Sequence, residues 1–294
     1  MNTKCTNSRQ EVLEARQDTT DWARLSTAER IRAIELEGYV VIPDLLSPTM
    51  LSHIREELGR LPTTAVDYSE NQRGSSDVQW TESPHTIDVI ALEPIIAFLT
   101  ALLGDELLCT SCGYANSQPG HPGIAIHTDC QPYGSQIFGM LSSSPCLVRV
   151  LYYLDELTPL RSPLKVIPRS HLSLHADANP YHRFLAHDEE VMVTCKAGSA
   201  AVINQKLFHG NYPNYSDDDR RLLGIAYRPA WAGPISAVPE FDSEKVAKLP
   251  SKVRKFFKSL NTQKIDFNVP NRPDNLATKA AGIGPSRWNG ASTV

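Results

Sequence analysis

The sequence has few of the features that mark a specialised class of protein. Its six cysteines are spread over 294 residues, too thinly for the disulfide framework of a small secreted domain. Its 29 basic and 33 acidic residues give a net charge of −4, whereas nucleic-acid-binding proteins usually carry a strongly basic surface. We therefore expect neither a disulfide scaffold nor a nucleic-acid partner.

Long apolar runs are also scarce. The longest apolar stretches look far shorter than the ~20 residues that a membrane-spanning helix needs. The N-terminal stretch MNTKCTNSRQEVLEARQD is polar throughout and lacks the apolar core of a secretory signal. These patterns predict no membrane association and a cytoplasmic location. Hydrophobic residues still make up 41% of the chain, which is enough for a globular core.

The chain is expected to form one domain behind a flexible arm. Residues 1–20 are polar and without pattern, which is typical of a mobile segment. Residues 21–294 show neither an internal repeat nor a clear linker. We predict a single domain with a β core over about 107–230, helices before it, and a lid or tail over 231–294.

Helix signals precede the β-rich part of the chain. Serine caps, and a proline at the first helical position, predict helices over about 26–37 and 47–58. The apolar stretch 94–103 predicts a buried helix, and the short run 39–42 predicts a strand.

From about residue 107 the chain consists of short runs rich in β-branched and aromatic residues, separated by turn residues. These runs are 107–109, 124–126, 148–154, 164–167, 191–194, 200–203 and 222–227. Many short strands at irregular spacing are typical of a barrel or jelly roll. We therefore predict a mainly β fold with flanking helices.

Two His-x-Asp motifs could present an imidazole and a carboxylate to one metal ion, because residues i and i+2 of a strand share a face. His127 and Asp129 follow an apolar strand, whereas His175 and Asp177 lie in a loop or short helix. His209, after a later strand, can supply a third ligand. Such a 2-His-1-carboxylate set is typical of non-haem Fe(II) oxygenases, although zinc also accepts it.

An arginine follows the distal histidine at a spacing in sequence that can place it on the next strand. Arg220 lies eleven residues beyond His209 and begins the next strand, where its guanidinium can bind the far carboxylate of a dicarboxylic cosubstrate in bidentate fashion. Arg221 is the alternative, and only one of two neighbouring strand residues can point inward.

The order of these motifs resembles the phytanoyl-CoA dioxygenase family, over about residues 33–227. The motifs that carry the resemblance are the helix and strand up to Pro43, His127-Thr-Asp129, Leu151–Leu157, Leu164–His171, Ala197-Gly-Ser199 and His209-Gly-(x)3-Asn-(x)5-Arg220. The resemblance implies an Fe(II)- and 2-oxoglutarate-dependent oxygenase on a double-stranded β-helix, that is, a cupin-like jelly roll. It implies that His127, Asp129 and His209 hold the iron and that Arg220 binds 2-oxoglutarate.

The resemblance also implies the reaction class. A small organic molecule would be hydroxylated, or otherwise oxidised, at a C–H bond with O2, and succinate and CO2 would be released. Asp129 favours hydroxylation, because family members that halogenate lack a carboxylate at that position. The alternatives are a His2Asp zinc hydrolase on a cupin-like barrel and a non-catalytic ligand-binding barrel. We expect a monomer or homodimer.

Further residues are expected around the site. Tyr114, Asn116 and Gln118 precede the iron motif and would line the cosubstrate pocket, together with Tyr153, or Tyr152 if the register differs.

Arginines and loops are candidates for substrate contacts. Arg149, Arg161 and Arg169 would favour an anionic or polar substrate. Candidate covering loops are 61–88, 172–190 and 230–250, because substrate contacts often lie on loops that a rigid scaffold carries.

The chain departs from the family pattern at two turns. Arg161-Ser-Pro-Leu164 stands where Asn-Gly-Pro-Leu is usual, and Pro168-Arg-Ser-His171 stands where Pro-Gly-Ser-His is usual. Since glycine alone adopts positive φ freely, the loss of both glycines predicts turns that do not use positive φ.

Overall fold

The computed structural model describes residues 7–129, 147–172, 180–181, 185–230 and 240–258. Its α-helices are α1 (Arg9–Glu14), α2 (Thr27–Leu36), α3 (Pro48–Gly59), α4 (Pro84–Asp88), α5 (Glu93–Leu103), α6 (Ser243–Lys248) and α7 (Ser251–Arg254). Its strands are β1 (Tyr39–Ile42), β2 (Thr64–Val66), β3 (Ser69–Ser75), β4 (Leu107–Ser117), β5 (Ile124–His127), β6 (Val148–Tyr153), β7 (Leu164–Val166), β8 (Val191–Val193), β9 (Ala200–Asn204), β10 (His209–Asn211) and β11 (Arg220–Pro229).

The strands form two antiparallel sheets. The major sheet has seven strands in the order β1-β9-β6-β11-β4-β3-β2, and the minor sheet has four in the order β5-β10-β7-β8. In the centre of each sheet, neighbouring strands such as β9 and β6, or β5 and β10, come from distant parts of the chain, as in a double-stranded β-helix. The predicted fold, mainly β with flanking helices, is confirmed.

The helices before β4 cover the outer face of the major sheet. Ser26 caps α2 in a capping box with Glu29, and Ser47 caps α3 ahead of Pro48. Apolar residues of α2, α3 and α5 belong to one hydrophobic core together with residues of both sheets. Near α5, the Tyr227 hydroxyl of β11 donates to the Ile90 carbonyl at 2.9 Å.

Residue alternation gives the major sheet two different faces. On β6, Tyr152 belongs to the outer face, while Arg149 and Tyr153 belong to the inner face that looks toward the minor sheet. On β11, Arg220 belongs to the inner face and Arg221 to the outer face. Arg149, Tyr153 and Arg220 therefore share the face that looks toward the minor sheet.

The segment 61–88, which we expected to be a covering loop, is largely regular structure. Strands β2 and β3 form a hairpin that pairs with the edge of β4, and α4 follows. The hairpin satisfies hydrogen-bonding groups that β4 would otherwise expose. Its polar residues lack the apolar alternation by which a strand is recognised.

Residues 7–20, which we expected to form a flexible arm, contain a short helix and pack against the body of the protein. Ser8 and Glu11 form a capping box on α1, and Val12 is buried against Met192 and Tyr212. The amide of Asp18 donates to the Met192 carbonyl at 2.8 Å. The Lys165 ammonium also donates to Asn7 Oδ1 at 2.9 Å. These contacts join the segment to residues far along the chain, and such long-range contacts do not show as a pattern in sequence. Residues 1–6 lie outside the described residues.

The described residues nearest the C-terminus include a buried apolar cluster. Val253, Phe256 and Phe257 are buried, and the Phe256 carbonyl accepts a hydrogen bond from the Cys109 amide of β4 at 2.9 Å. Of the predicted lid or tail, 231–239 and 259–294 lie outside the described residues, as do most of the predicted loop 172–190 and the motif His175–Asp177.

One helical run is long and apolar enough to cross a membrane when judged by length and composition alone, which corrects our expectation about apolar stretches. It covers the 20 residues Pro84–Leu103, and 44% of its most apolar window is buried inside the structure. It is divided into α4, a 3-10 turn and α5, and its buried apolar residues belong to the hydrophobic core.

Candidate metal centre

Three predicted side chains converge where the minor sheet meets the loop after β5. β10 pairs with β5 so that His209 lies directly opposite His127, and Asp129 follows two residues after His127. Their ligand atoms all lie within 4.8 Å of one another. His127 Nε2 lies 3.8 Å from Asp129 Oδ1, and His209 Nε2 lies 3.6 Å from Asp129 Oδ2.

The two imidazoles are oriented by their own backbone. Nδ1 of His127 lies 2.9 Å from the Ala125 carbonyl oxygen, and Nδ1 of His209 lies 2.9 Å from the Leu207 carbonyl oxygen. Since a carbonyl oxygen only accepts, each Nδ1 carries the proton, and in the neutral ring Nε2 carries the lone pair. Backbone contacts of this kind commonly orient metal-binding histidines, so the donor set fits a divalent transition metal.

A glycine allows the two histidine strands to approach. A Cβ added to Gly210 would overlap the Ile124 carbonyl oxygen and crowd the backbone of Ala125. The pairing of β10 with β5 is also irregular between His209 and Asn211. Any side chain at position 210 would therefore push His209 away from His127.

Arg149 extends from the inner face of β6 to the centre. Its Nε lies 2.5 Å from Asp129 Oδ2, while the Asp129 amide donates to the Gln205 carbonyl at 2.8 Å. Arg149 thus contacts the carboxylate that we predicted to bind metal, a contact that we did not foresee when we assigned this arginine to the substrate.

The other two candidate arginines lie elsewhere. Arg169 has a side chain that is 71% exposed and pairs with Glu37. Arg161 donates to the Asp219 carbonyl at 2.7 and 2.9 Å and lies 3.7 Å from the Asp155 carboxylate. The structure does not bring either of them to the metal centre, so we drop Arg169 as a candidate for substrate binding.

The two neighbouring arginines at the start of β11 have different environments. Arg221 forms a bidentate ion pair with Asp155, at 2.9 and 2.7 Å. Arg220 is 1% exposed, and its Nη2 donates to Ser162 Oγ at a long 3.4 Å. Its Nε and Nη1 atoms are buried without a hydrogen-bond partner among the described residues. Arg220 is therefore the arginine that can bind an anion from inside the fold.

Four further side chains surround Arg220, and we call the five together the arginine pocket: Arg220, Tyr153, Ser162, Tyr68 and His121. The Tyr153 hydroxyl is buried and has no partner among the described residues, and burial raises the pKa of this phenol, so it stays a donor. The Tyr68 hydroxyl lies 3.3 Å from His121 Nε2. Burial, and then the charge of Arg220, lower the pKa of His121 to about 3.

Two of the predicted pocket residues lie on the wrong face. Tyr114 and Asn116 alternate with the inner residues of β4, and Asn116 lies directly opposite Arg221 on β11. Asn116 Nδ2 donates to the Asp219 carboxylate at 2.8 Å. Their expected role at the cosubstrate is therefore corrected, because the pairing of β4 with β11 sets the face.

Of the remaining residues that we predicted to line the pocket, Tyr153 lies in it, Tyr152 does not, and Gln118 stays a prediction. Tyr153 lies beside Arg220, while Tyr152 belongs to the outer face. Gln118 follows the end of β4, where its amide donates to the Asn71 carbonyl at 2.8 Å, and its role stays a prediction. Sequence reasoning missed Tyr68 and His121, since neither lies in a recognised motif.

The two turns that lack the family's glycines adopt positive φ nevertheless. Ser162 has φ 45° and Arg169 has φ 67°, which overturns our expectation. Ser162 Oγ donates to the Tyr212 carbonyl at 2.9 Å and accepts from Arg220. A non-glycine residue held in the left-handed region is strained, and at position 162 the strain coincides with a hydroxyl that contacts Arg220.

With this geometry established, comparison with known proteins decides the family. The sequence model of phytanoyl-CoA dioxygenase (PhyH) matches residues 34–222, which is more than half of the chain. The chain belongs to the phytanoyl-CoA dioxygenase family. The matched range includes the three converging side chains and both arginines at the start of β11, and it agrees with the resemblance drawn from the motifs.

Curated relatives are distant. Dioxygenase trt7 of Aspergillus terreus is 22% identical over 252 residues, covering 78% of this chain and 84% of the relative. An uncharacterized protein of Mycobacterium bovis, Mb1539, is 24% identical over 200 residues, covering 65% of this chain and 71% of the relative.

Solved structures share the fold. HygX from Streptomyces hygroscopicus, crystallised with nickel and 2-oxoglutarate, superposes with a TM-score of 0.59 at 16% identity, covering 70% of this chain and 88% of HygX. The carbocyclase SnoK from nogalamycin biosynthesis superposes with a TM-score of 0.56 at 20% identity, covering 72% and 88%. At such identities the likeness establishes the architecture alone.

Proposed function

We propose that this protein is an Fe(II)- and 2-oxoglutarate-dependent dioxygenase that hydroxylates a C–H bond of a small organic molecule and releases succinate and CO2. The observation that carries the proposal is the convergence of His127, Asp129 and His209 beside a buried arginine with unpartnered donors. When bound, iron and 2-oxoglutarate supply the activation of O2 and the oxidising power.

The three ligand residues would hold Fe(II) on one side only. Two neutral imidazoles and one carboxylate would supply three ligands and would leave further coordination positions open to a chelating cosubstrate and O2. The backbone contacts at both Nδ1 atoms fix the rings before any metal arrives. Arg149 binds the carboxylate of Asp129 from the major sheet, so the acidic ligand is held from a second direction.

The arginine pocket would bind the far carboxylate of 2-oxoglutarate. Arg220 is buried, and burial lowers the pKa of its guanidinium, yet arginine remains charged at any physiological pH. Hydrogen bonds to a carboxylate are strong where water is excluded. Tyr153 adds a donor that stays protonated.

Hydroxylation is the outcome that we propose, although the fold accommodates other oxidations. Asp129 fills the carboxylate position that halogenating family members lack. Two neighbours in structure are described as an epimerase and a carbocyclase, and HygX has been crystallised with hygromycin B. These proteins support a small organic substrate for the present chain. A product that has gained one oxygen atom would distinguish hydroxylation from epimerisation or ring closure.

An anaerobic titration tests the cofactor chemistry. Fe(II) and 2-oxoglutarate should produce the weak visible charge-transfer band of the chelate. His209→Ala should abolish this band, while His53→Ala, at a half-buried position on α3 far from the metal centre in sequence, should not. Arg220→Lys keeps the charge but loses the bidentate fork, so the variant should need about 10- to 100-fold more 2-oxoglutarate. Arg221→Lys is the matched control and should titrate like the parent protein.

Two outcomes would contradict the proposal. Tight zinc binding without the band would favour the His2Asp hydrolase, and no metal binding at all would favour the non-catalytic barrel. With O2 admitted, both alternatives predict that no succinate forms. A cytoplasmic location and a monomeric or homodimeric state stay predictions.

A further inference from the structure

His121 is held firmly at one end of the arginine pocket. It lies between β4 and β5 and is 1% exposed. Its amide donates to the Gln118 carbonyl at 3.0 Å, and its carbonyl accepts from the Asn214 amide at 2.9 Å. Asn214 in turn donates from Nδ2 to the Ser117 carbonyl at 2.9 Å. The backbone of His121 is therefore bonded on both sides to elements that flank Arg220.

The imidazole of His121 has one nitrogen engaged and one left over. Nε2 faces the hydroxyl of Tyr68, which lies at the turn of the β2–β3 hairpin. If the tyrosine donates, Nδ1 carries the ring proton. Nδ1 is buried without a hydrogen-bond partner among the described residues, and an unsatisfied buried donor costs free energy.

The same pocket contains several such atoms. Besides Nδ1 of His121, the buried atoms without a described partner are Nε and Nη1 of Arg220 and the hydroxyl of Tyr153. The low pKa of His121, caused by burial and by the charge of Arg220, keeps the imidazole neutral, so it offers a hydrogen bond and no charge. Four donors and a single positive charge suit a monoanion with several lone pairs, and a carboxylate has that chemistry.

We infer that His121, positioned by Tyr68, donates a hydrogen bond from Nδ1 to the far carboxylate of the cosubstrate and so helps to select a dicarboxylic 2-oxo acid. This inference rests on the proposed function. His121 belongs to the binding machinery, and Tyr68 is a positioning residue that acts through it.

The test compares two 2-oxo acids that differ in the far carboxylate. Affinities for 2-oxoglutarate and for 2-oxobutyrate, which lacks that group, are measured by anaerobic titration of the Fe(II) protein. His121→Ala should weaken 2-oxoglutarate binding about tenfold and leave 2-oxobutyrate binding unchanged. His121→Asn, whose amide can replace the Nδ1 donor, should restore most of the affinity. Tyr68→Phe should show a smaller loss, also confined to 2-oxoglutarate.

Controls separate this inference from the proposed function. His53→Ala should bind both acids like the parent protein. If His121→Ala weakens both acids equally, or neither, the inference is wrong while the proposed function stands. If His121→Ala does not fold, equal affinities of Tyr68→Phe and the parent for 2-oxoglutarate overturn it instead. If the parent protein shows no band with 2-oxoglutarate, both fail together.

Discussion

Replacing Arg169 tests whether the turn before His171 is strained. Arg169 has φ 67°, and an L-residue in the left-handed region costs about 1–2 kcal/mol. Its side chain is 71% exposed in the ion pair with Glu37, and such surface pairs contribute only about 0.2–1 kcal/mol. Arg169→Ala should therefore lose the ion pair and keep the strain, so the variant should be slightly less stable than the parent.

Arg169→Gly loses the same ion pair but relieves the strain. The greater freedom of glycine in the unfolded chain offsets part of this gain, which leaves the glycine variant about 1 kcal/mol more stable than the alanine variant. Urea unfolding measures the difference directly, and in thermal unfolding of a chain of this length it corresponds to about 1.5–2 °C in Tm. A glycine variant no more stable than the alanine variant would refute the reasoning.

Other predictions follow from single contacts. Gly210→Ala should weaken Fe(II) affinity at least about tenfold, because the added Cβ moves β10 away from β5. Gly59→Ala is the control, since its Cβ would meet nothing within 4 Å, and it should leave Fe(II) affinity unchanged in the same titration. Val12→Ala should lower the free energy of unfolding by about 2 kcal/mol. Leu13→Ala, at a position 53% exposed, should lower it by far less. Equal losses of unfolding free energy in urea titrations would contradict the packing of α1. The pKa of His121 is lowered from 6.5 to about 3 by folding, so its contribution is fully present above pH 6.5 and is lost, by up to about 1.4 kcal/mol per pH unit, as pH falls toward 3. His121→Asn should therefore flatten the fall in stability between pH 6 and pH 4, and an unchanged slope would show that His121 is not buried neutral.

Short-range patterns predicted much of the fold and of the metal centre. The apolar runs from residue 107 onward mark strands because each must bury side chains, and the serine caps mark helix starts because they satisfy unpaired amides. His127 and Asp129 are two residues apart on one strand and its extension, so their convergence is a local property. The predicted length of β4 was too short, since its polar residues beyond Cys109 hide the pattern.

The faces of the major sheet could not be predicted from single strands. Tyr114 and Asn116 looked like pocket residues because they precede the iron motif. Whether they face Arg220 or Arg221 depends on the register between β4 and β11, which are separated by about a hundred residues. A shift of one residue in that register would have exchanged the two faces.

The arginine pocket shows where sequence reasoning ends. By itself the sequence determined that a two-sheet β core would form, that His127, Asp129 and His209 could share a metal ion, and that one of two arginines would point inward, because strand alternation and ligand chemistry act over a few residues. Only the tertiary structure decided that Arg220 is the inward one, that Tyr68 and His121 join it from a hairpin and a turn, and that Arg149 contacts Asp129. Those contacts depend on pairing between strands far apart in the chain, and no short-range pattern encodes that pairing.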